Sequence, residues 1–319
     1  MRAETMTPLE RVQTVVSLNK PDRVPVIPMI GSFFSAKHAG VPMNVFVTDL
    51  EKGIQAEMQT FQDYGLRDMP HTSNPLNELA FQEAILSYMK LPGRELPDDS
   101  IWQFDEREVM KVEDYDAVIE HGWPATWMRL VSGIRQQPPD AVGKELFQWV
   151  DGSMEAIRKW ESMGHQCFSG AGASNPYGAF SGARSLHQFA LDLHRRPEKV
   201  QEAMDASIDE LVKLAVGKAM GARAGTKHGY YASFIGESRA SGTFISPKTA
   251  ERFFFPYMLK IAEALVGVGV TPLFHFDNDW TPMLEYFLEF PKAKCILEVD
   301  GQTDIFEAKK VLGDHMCLM

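Results

Sequence analysis

Three ionisable side chains fall within five residues at His275-Phe276-Asp277-Asn278-Asp279, and Trp280 follows them. The run before them, from Thr271, has the pattern of a buried strand. Residues two apart on a strand face the same way, so His275 and Asp277 project together, and Asp279 can join them where the strand loosens into a loop. An imidazole and a carboxylate on one face suit zinc, which takes histidine nitrogen and aspartate oxygen, or a general acid/base pair. Burying three such groups together is costly unless they act. The competing reading is a core histidine held by a backbone carbonyl, with Asp277 capping the next helix.

A second i, i+2 pair, Glu298 and Asp300, ends the run Ile296-Leu297-Glu298-Val299-Asp300-Gly301. Either carboxylate could complete a metal site or position a substrate. Equally, Asp300 could form a turn before Gly301 while Glu298 pairs with a lysine. Cys295 has the opposite parity and is expected to face a helix layer as a small hydrophobe. Glu237 lies just past a strand expected at Thr226–Tyr231 and is a candidate third ligand or acid, with surface solvation as the alternative. Asn278, Trp280 and Tyr231 are candidate substrate contacts. The loop Gly170-Ala171-Gly172-Ala173-Ser174-Asn175 permits close ligand approach, but its GxG fragment lacks the rest of a dinucleotide fingerprint, and no P-loop, GxSxG or HExxH occurs.

The elements that must position these residues have recognisable boundaries. Thr7-Pro8-Leu9-Glu10 and Thr48-Asp49-Leu50-Glu51 have capping-box spacing, and Gly65 stops the second helix. Ser246-Pro247, Thr281-Pro282 and Thr303-Asp304 open later helices. Strands are expected near residues 24, 66, 165, 226, 271, 294 and 315, most of them alternating with helices, which implies a parallel sheet covered by helices. The expected architecture is a single (β/α)8 barrel domain over residues 1–319 with an irregular excursion at about 74–139. The barrel is expected to lack its last strand or strands, because the sequence ends on the apolar strand His315–Met319 with nothing after it to close the ring.

The chain has 319 residues, 45% of them hydrophobic, and a formal charge of −11. That charge argues against nucleic acid and anionic membranes as partners. Three cysteines are too few for a disulfide framework, and neither a secretory h-region nor a membrane-spanning apolar run is present in the sequence. A soluble cytoplasmic protein is expected.

The opening Met6-Thr7-Pro8-Leu9-Glu10-Arg11-Val12, then Lys20-Pro21-Asp22-Arg23-Val24-Pro25-Val26, is similar to the start of the methyltransferase branch of the uroporphyrinogen decarboxylase superfamily. Ile245-Ser246-Pro247 with Phe255-Pro256-Tyr257, the His275-x-Asp277 strand end, and Lys309-Lys310-Val311-Leu312-Gly313-Asp314 fit the same pattern. The resemblance implies a (β/α)8 barrel and transfer of a methyl group to or from a cobalamin carried by a separate corrinoid protein, often with zinc. On it, His275, Asp277 and Glu237 are the expected zinc ligands, and Asp279, Glu298 and Asp300 the expected catalytic carboxylates. True decarboxylases of the superfamily carry an arginine-rich segment after the first strand, where this chain has Ile30-Gly31-Ser32-Phe33-Phe34-Ser35-Ala36, so a porphyrinogen is not the expected substrate. Thiol-methylating members use His-x-Cys and a later Cys. Asp277 in place of the first Cys gives a harder ligand and points to a methyl ether or similar small methyl donor. Two alternatives are a decarboxylase-like lyase using Asp277 or Asp300 as acid, and a non-catalytic partner of a corrinoid protein.

Overall fold

The computed structural model describes residues 4–30, 32–66, 68–71 and 78–319, so the expected start of the excursion at about residue 74 lies outside the described residues. The chain opens with the helix Pro8–Val16, set by a reciprocal cap: Thr7 Oγ1 accepts from the Glu10 amide and Glu10 accepts from the Thr7 amide. A series of helices and a small antiparallel hairpin, β1 (Tyr88–Lys90) with β2 (Gln103–Asp105), precede the main sheet. That sheet is parallel, in the order β3 (Cys167–Gly170), β4 (Tyr230–Glu237), β5 (Thr271–Phe276), β6 (Ile296–Val299) and β7 (Cys317–Leu318). Strands in sequence order with helical crossovers form the α/β barrel type of architecture.

Two extended segments continue the wall beyond β3. The amides of Phe168 and Ser169 donate to the carbonyls of Pro70 and His71, at 2.8 and 2.7 Å. Residues 24–29 join no ladder: Pro25 and Pro28 have no N–H to give, and the Val26 amide donates to Asp68 Oδ2. One apolar cluster then collects a single residue from each wall segment: Ile27, Met69, Phe168, Ala232, Leu273, Ile296 and Cys317, with Val12 and Val16 of the first helix beneath them. That shared inner layer is the signature of a barrel interior, and among the described residues the ring is not closed by an eighth strand. The outward-facing Ile235, Phe274 and Leu297 pack instead with the helices Pro197–Gly225 and Phe255–Gly267, and Cys295 is buried with them.

Two boundaries differ from the sequence expectation in ways that matter for the site. Strand β4 starts four residues later than Thr226, because Thr226 still belongs to the helix end, its hydroxyl bonding the Ala222 carbonyl, and Gly229 makes a left-handed turn (φ +66°). Glu237 is therefore the last residue of the strand and not a loop residue. The segment opened by Thr281 is a 3-10 helix, Thr281–Glu289, whose first amide is accepted by Asp279 and not by a threonine cap. Among the described residues no helix is long and apolar enough to cross a membrane.

Candidate functional site

Strand pleat converts the apolar inner layer into a polar one a single step up. Two residues beyond Met69, Ala232, Leu273 and Ile296 stand His71, Phe234, His275 and Glu298, on the same inward face and nearer the carboxyl ends of the strands. His275 and Glu298 are register partners across β5 and β6. Glu298 Oε2 lies 2.9 Å from His275 Nδ1, and His71 Nε2 lies 3.2 and 3.4 Å from the two Glu298 oxygens. The other nitrogen of His71 is 3.2 Å from Ser169 Oγ, and the Ser169 hydroxyl donates to the His71 carbonyl at 2.7 Å. Phe234 stacks on the His275 ring with centroids 5.2 Å apart. His275 Nε2 faces the mouth, 3.5 Å from Asp277 Oδ1.

The electrostatics follow from this packing. Burial alone would push the Glu298 carboxyl up, but hydrogen bonds from His275 and His71 outweigh it and hold the group at about 2. For His275, burial favours the neutral ring, yet the Glu298 contact and the charges of Asp277 and Asp300 raise its basicity above the ordinary histidine value. Asp277 is pushed up, first by burial and then by Asp300 and Glu298, against the opposing pull of His275. No lysine or arginine pairs with Glu298, Asp277 or Asp300 among the described residues; Arg239, at the end of β4, turns away to Glu106 and the Ser181 carbonyl.

The sequence model of the uroporphyrinogen decarboxylase (URO-D) family matches residues 136–319, more than half of the chain and all of β3 to β7. The chain belongs to the URO-D family. A solved methyltransferase from Methanosarcina mazei superposes with a TM-score of 0.67 over 98% of this chain and 82% of that one, at 16% sequence identity, a likeness of fold. No curated protein matches the chain.

Within this URO-D fold the expected site residues separate into two groups. His275, Asp277 and Glu298 come together at the mouth. Glu237 does not join them. It is register partner to Phe276, so it takes the outward face, where its carboxylate accepts from Asn175 Nδ2 (3.2 Å) and the amides of Ser238 and Arg239 (3.0 and 2.7 Å). Burial raises its carboxyl despite those bonds. The expected His275, Asp277, Glu237 zinc triad is thus not formed, and among the described residues no three His, Cys, Asp or Glu side chains are placed to hold a metal. Glu298 does not replace Glu237 in it, because Glu298 and Asp277 approach opposite nitrogens of His275 and do not converge on one point.

The remaining candidates hold the loop after β5. Asp300 accepts from the amides of Asn278 and Gln302, both at 2.9 Å, the turn-forming alternative. Asn278 sits at φ +70° and its side chain donates to the Ser238 carbonyl at 2.8 Å, tying the β5 loop to the β4 loop. Asp279 caps the 3-10 helix. Trp280 is fully buried, stacked on Phe276 at 4.5 Å with its Nε1–H donated to the Asp277 carbonyl, so it walls no pocket. Tyr231 lies near the amino end of β4, stacked on Phe168 and close to Gly269 and Thr271, at the far end of the barrel from His275. His71 and Ser169 are the site residues that the sequence reading missed. The Met69-x-His71 spacing, matching Leu273-x-His275, is the signal that could have found the histidine.

Proposed function

We propose that this protein is a methyltransferase that moves a methyl group between a small methylated donor, a methyl ether or a similar compound, and a cobalamin carried by a separate corrinoid protein in the cytoplasm. The observation that carries the reading is the His71, Glu298, His275 layer above an apolar floor at the barrel mouth, where among the described residues no lysine or arginine pairs with its carboxylates. A porphyrinogen, ringed by carboxylates, is poorly matched to a site already rich in them. The fold shared with a methyltransferase supports the same side.

The corrinoid supplies the nucleophile that accepts the methyl group. This chain must then manage the atom from which the methyl leaves. When the bond between methyl carbon and donor oxygen breaks, the electron pair stays on oxygen, and His275 Nε2, the ring atom facing the mouth, is placed to give that oxygen a proton. Glu298, ionised and bonded to Nδ1, stabilises the ring while it carries the extra proton. Phe234 packs against the ring and limits its rotation. Zinc enters only as an assisting ion that would polarise the donor heteroatom. His275 and Asp277 offer it a nitrogen and an oxygen, the described residues do not close its coordination, and no step here depends on it. Met29, Phe33 and Phe34 are exposed, and they offer a partner protein apolar contacts.

Anaerobic incubation with a reduced corrinoid protein and a panel of methoxylated donors tests this through the visible spectrum of the cobalamin. Donor-dependent conversion to the methylated form is the expected result. Carbon dioxide release from a porphyrinogen, with the cobalamin spectrum unchanged by every donor, would establish the lyase instead; tight corrinoid-protein binding with neither activity would leave a non-catalytic partner.

A further inference from the structure

His71 reaches the site from a segment 227 residues away from Glu298 in sequence, and almost none of its side chain is exposed. Its surroundings engage both ring nitrogens. Ser169 Oγ lies 2.7 Å from the His71 carbonyl and 3.2 Å from His71 Nδ1, so it occupies that edge of the ring. An ionised carboxylate accepts only, so the contact from His71 Nε2 to Glu298 is a donated N–H. Both edges of His71 are thus spent on holding neighbours, and neither is left for a substrate.

Glu298 in turn has little freedom. One histidine binds it from the β3 side of the barrel and the other across β5, and Phe234 packs against both rings. Anchored in this way, it accepts from His275 Nδ1 whether or not His275 also carries a proton on Nε2. Only Nε2 is then exposed to the mouth.

We propose that His71, seated on Ser169, is a positioning residue: it fixes Glu298 so that Glu298 commits His275 Nδ1 as a donor and leaves Nε2 as the one ring atom that meets the substrate. The assignment rests on the functional reading above for its effect on turnover, but not for its effect on the ring itself. In the carboxylate–histidine pairs of metal sites, loss of the outer partner costs roughly 10- to 100-fold in metal affinity or activity, and a loss of the same order is expected here.

The test compares His71→Leu, which removes the donor to Glu298, with His71→Gln, whose amide nitrogen can reach the same oxygen. Two readouts are taken on the full chain: methyl transfer at saturating donor, and long-range proton–nitrogen NMR of the histidine rings, recorded where His275 is neutral and assigned with a His275→Gln sample. Wild type and His71→Gln are expected to show His275 in the Nδ1–H form, and His71→Leu to show a mixture of the two tautomers together with a roughly 10- to 100-fold fall in kcat at nearly constant KM. A His71→Leu protein that melts cooperatively and keeps the Nδ1–H form would overturn the proposal, as would a His71→Gln protein as impaired as His71→Leu in both readouts. If the ring changes as expected while wild type transfers no methyl group, the positioning role stands and the methyltransferase reading fails.

Discussion

Leu273 and His275 are separated by one residue on the same strand and point the same way, yet the first lies in a dry cluster of aliphatic and aromatic side chains and the second in a network of ions and hydrogen bonds. Ile296 and Glu298 repeat the contrast on the neighbouring strand, and Met69 and His71 repeat it on the far side of the barrel. Along each strand only about 6–7 Å of rise separates the layers. The lower layer holds the segments together by burying apolar area. The upper layer works against that burial, and it persists because each charge in it has a partner. Polar groups can therefore be gathered at the mouth at small structural cost, since the layer beneath supplies the cohesion.

The contrast is broken most severely by Glu298→Leu. Removing the anion between two histidines takes from each ring its carboxylate partner in a confined space, and a loss of roughly 3–5 kcal/mol of stability is expected together with loss of methyl transfer, measurable by urea unfolding and by the cobalamin assay. In the lower layer Leu273→Ala is expected to cost about 2–5 kcal/mol through the cavity it leaves, while kcat per folded molecule, measured at low temperature, stays near the wild-type value. An effect on kcat as large as that of an upper-layer change would show that the two layers are not separable.

Acid sharpens the same comparison. The Glu298 carboxyl is held at about 2 in the folded chain against an ordinary 4.5, a lowered value. Its contribution is therefore fully present above pH 4.5 and is lost as pH falls from there towards 2. Between pH 5 and pH 2.5 the wild type should lose on the order of 2–3 kcal/mol more than Glu298→Gln does, read from urea midpoints across that range. Equal slopes for the two proteins would mean that Glu298 is not the anion described here. The smallest effect belongs to Asp279→Ala, which removes a cap from the 3-10 helix and should cost about 1 kcal/mol with methyl transfer unchanged. A strong loss of activity in that variant would return Asp279 to the chemistry.

How much of this was visible in the sequence depended on the strand. In β5 and β6 the apolar runs are short and continuous, so the relative parity of His275, Glu298 and Cys295 could be read from i, i+2 spacing once the strands were placed, and the structure puts all three on the faces so inferred. The segment carrying His71 has no such rhythm. Pro70 interrupts it, its pairing with β3 rests on backbone bonds, and its partner Glu298 is far away in the chain. Glu237 was misplaced for a more local reason. The helix before β4 runs on to Gly225, which delays the strand and turns what reads as a loop carboxylate into an outward-facing strand residue. Trp280 sits beside the site in sequence, but its indole is drawn into the aromatic packing of Phe254, Phe276 and Phe287 behind the sheet, where it covers more apolar surface than it could at the mouth.

The proposed reaction runs through His275 Nε2 in the polar layer. Single-turnover methyl transfer from an active donor to the corrinoid protein, compared between wild type and His275→Gln at matched thermal stability, tests it most directly. A fall of roughly 10²- to 10⁴-fold in the rate of the methyl-transfer step is the predicted result. A His275→Gln protein that transfers the methyl group within a few-fold of the wild-type rate would contradict it.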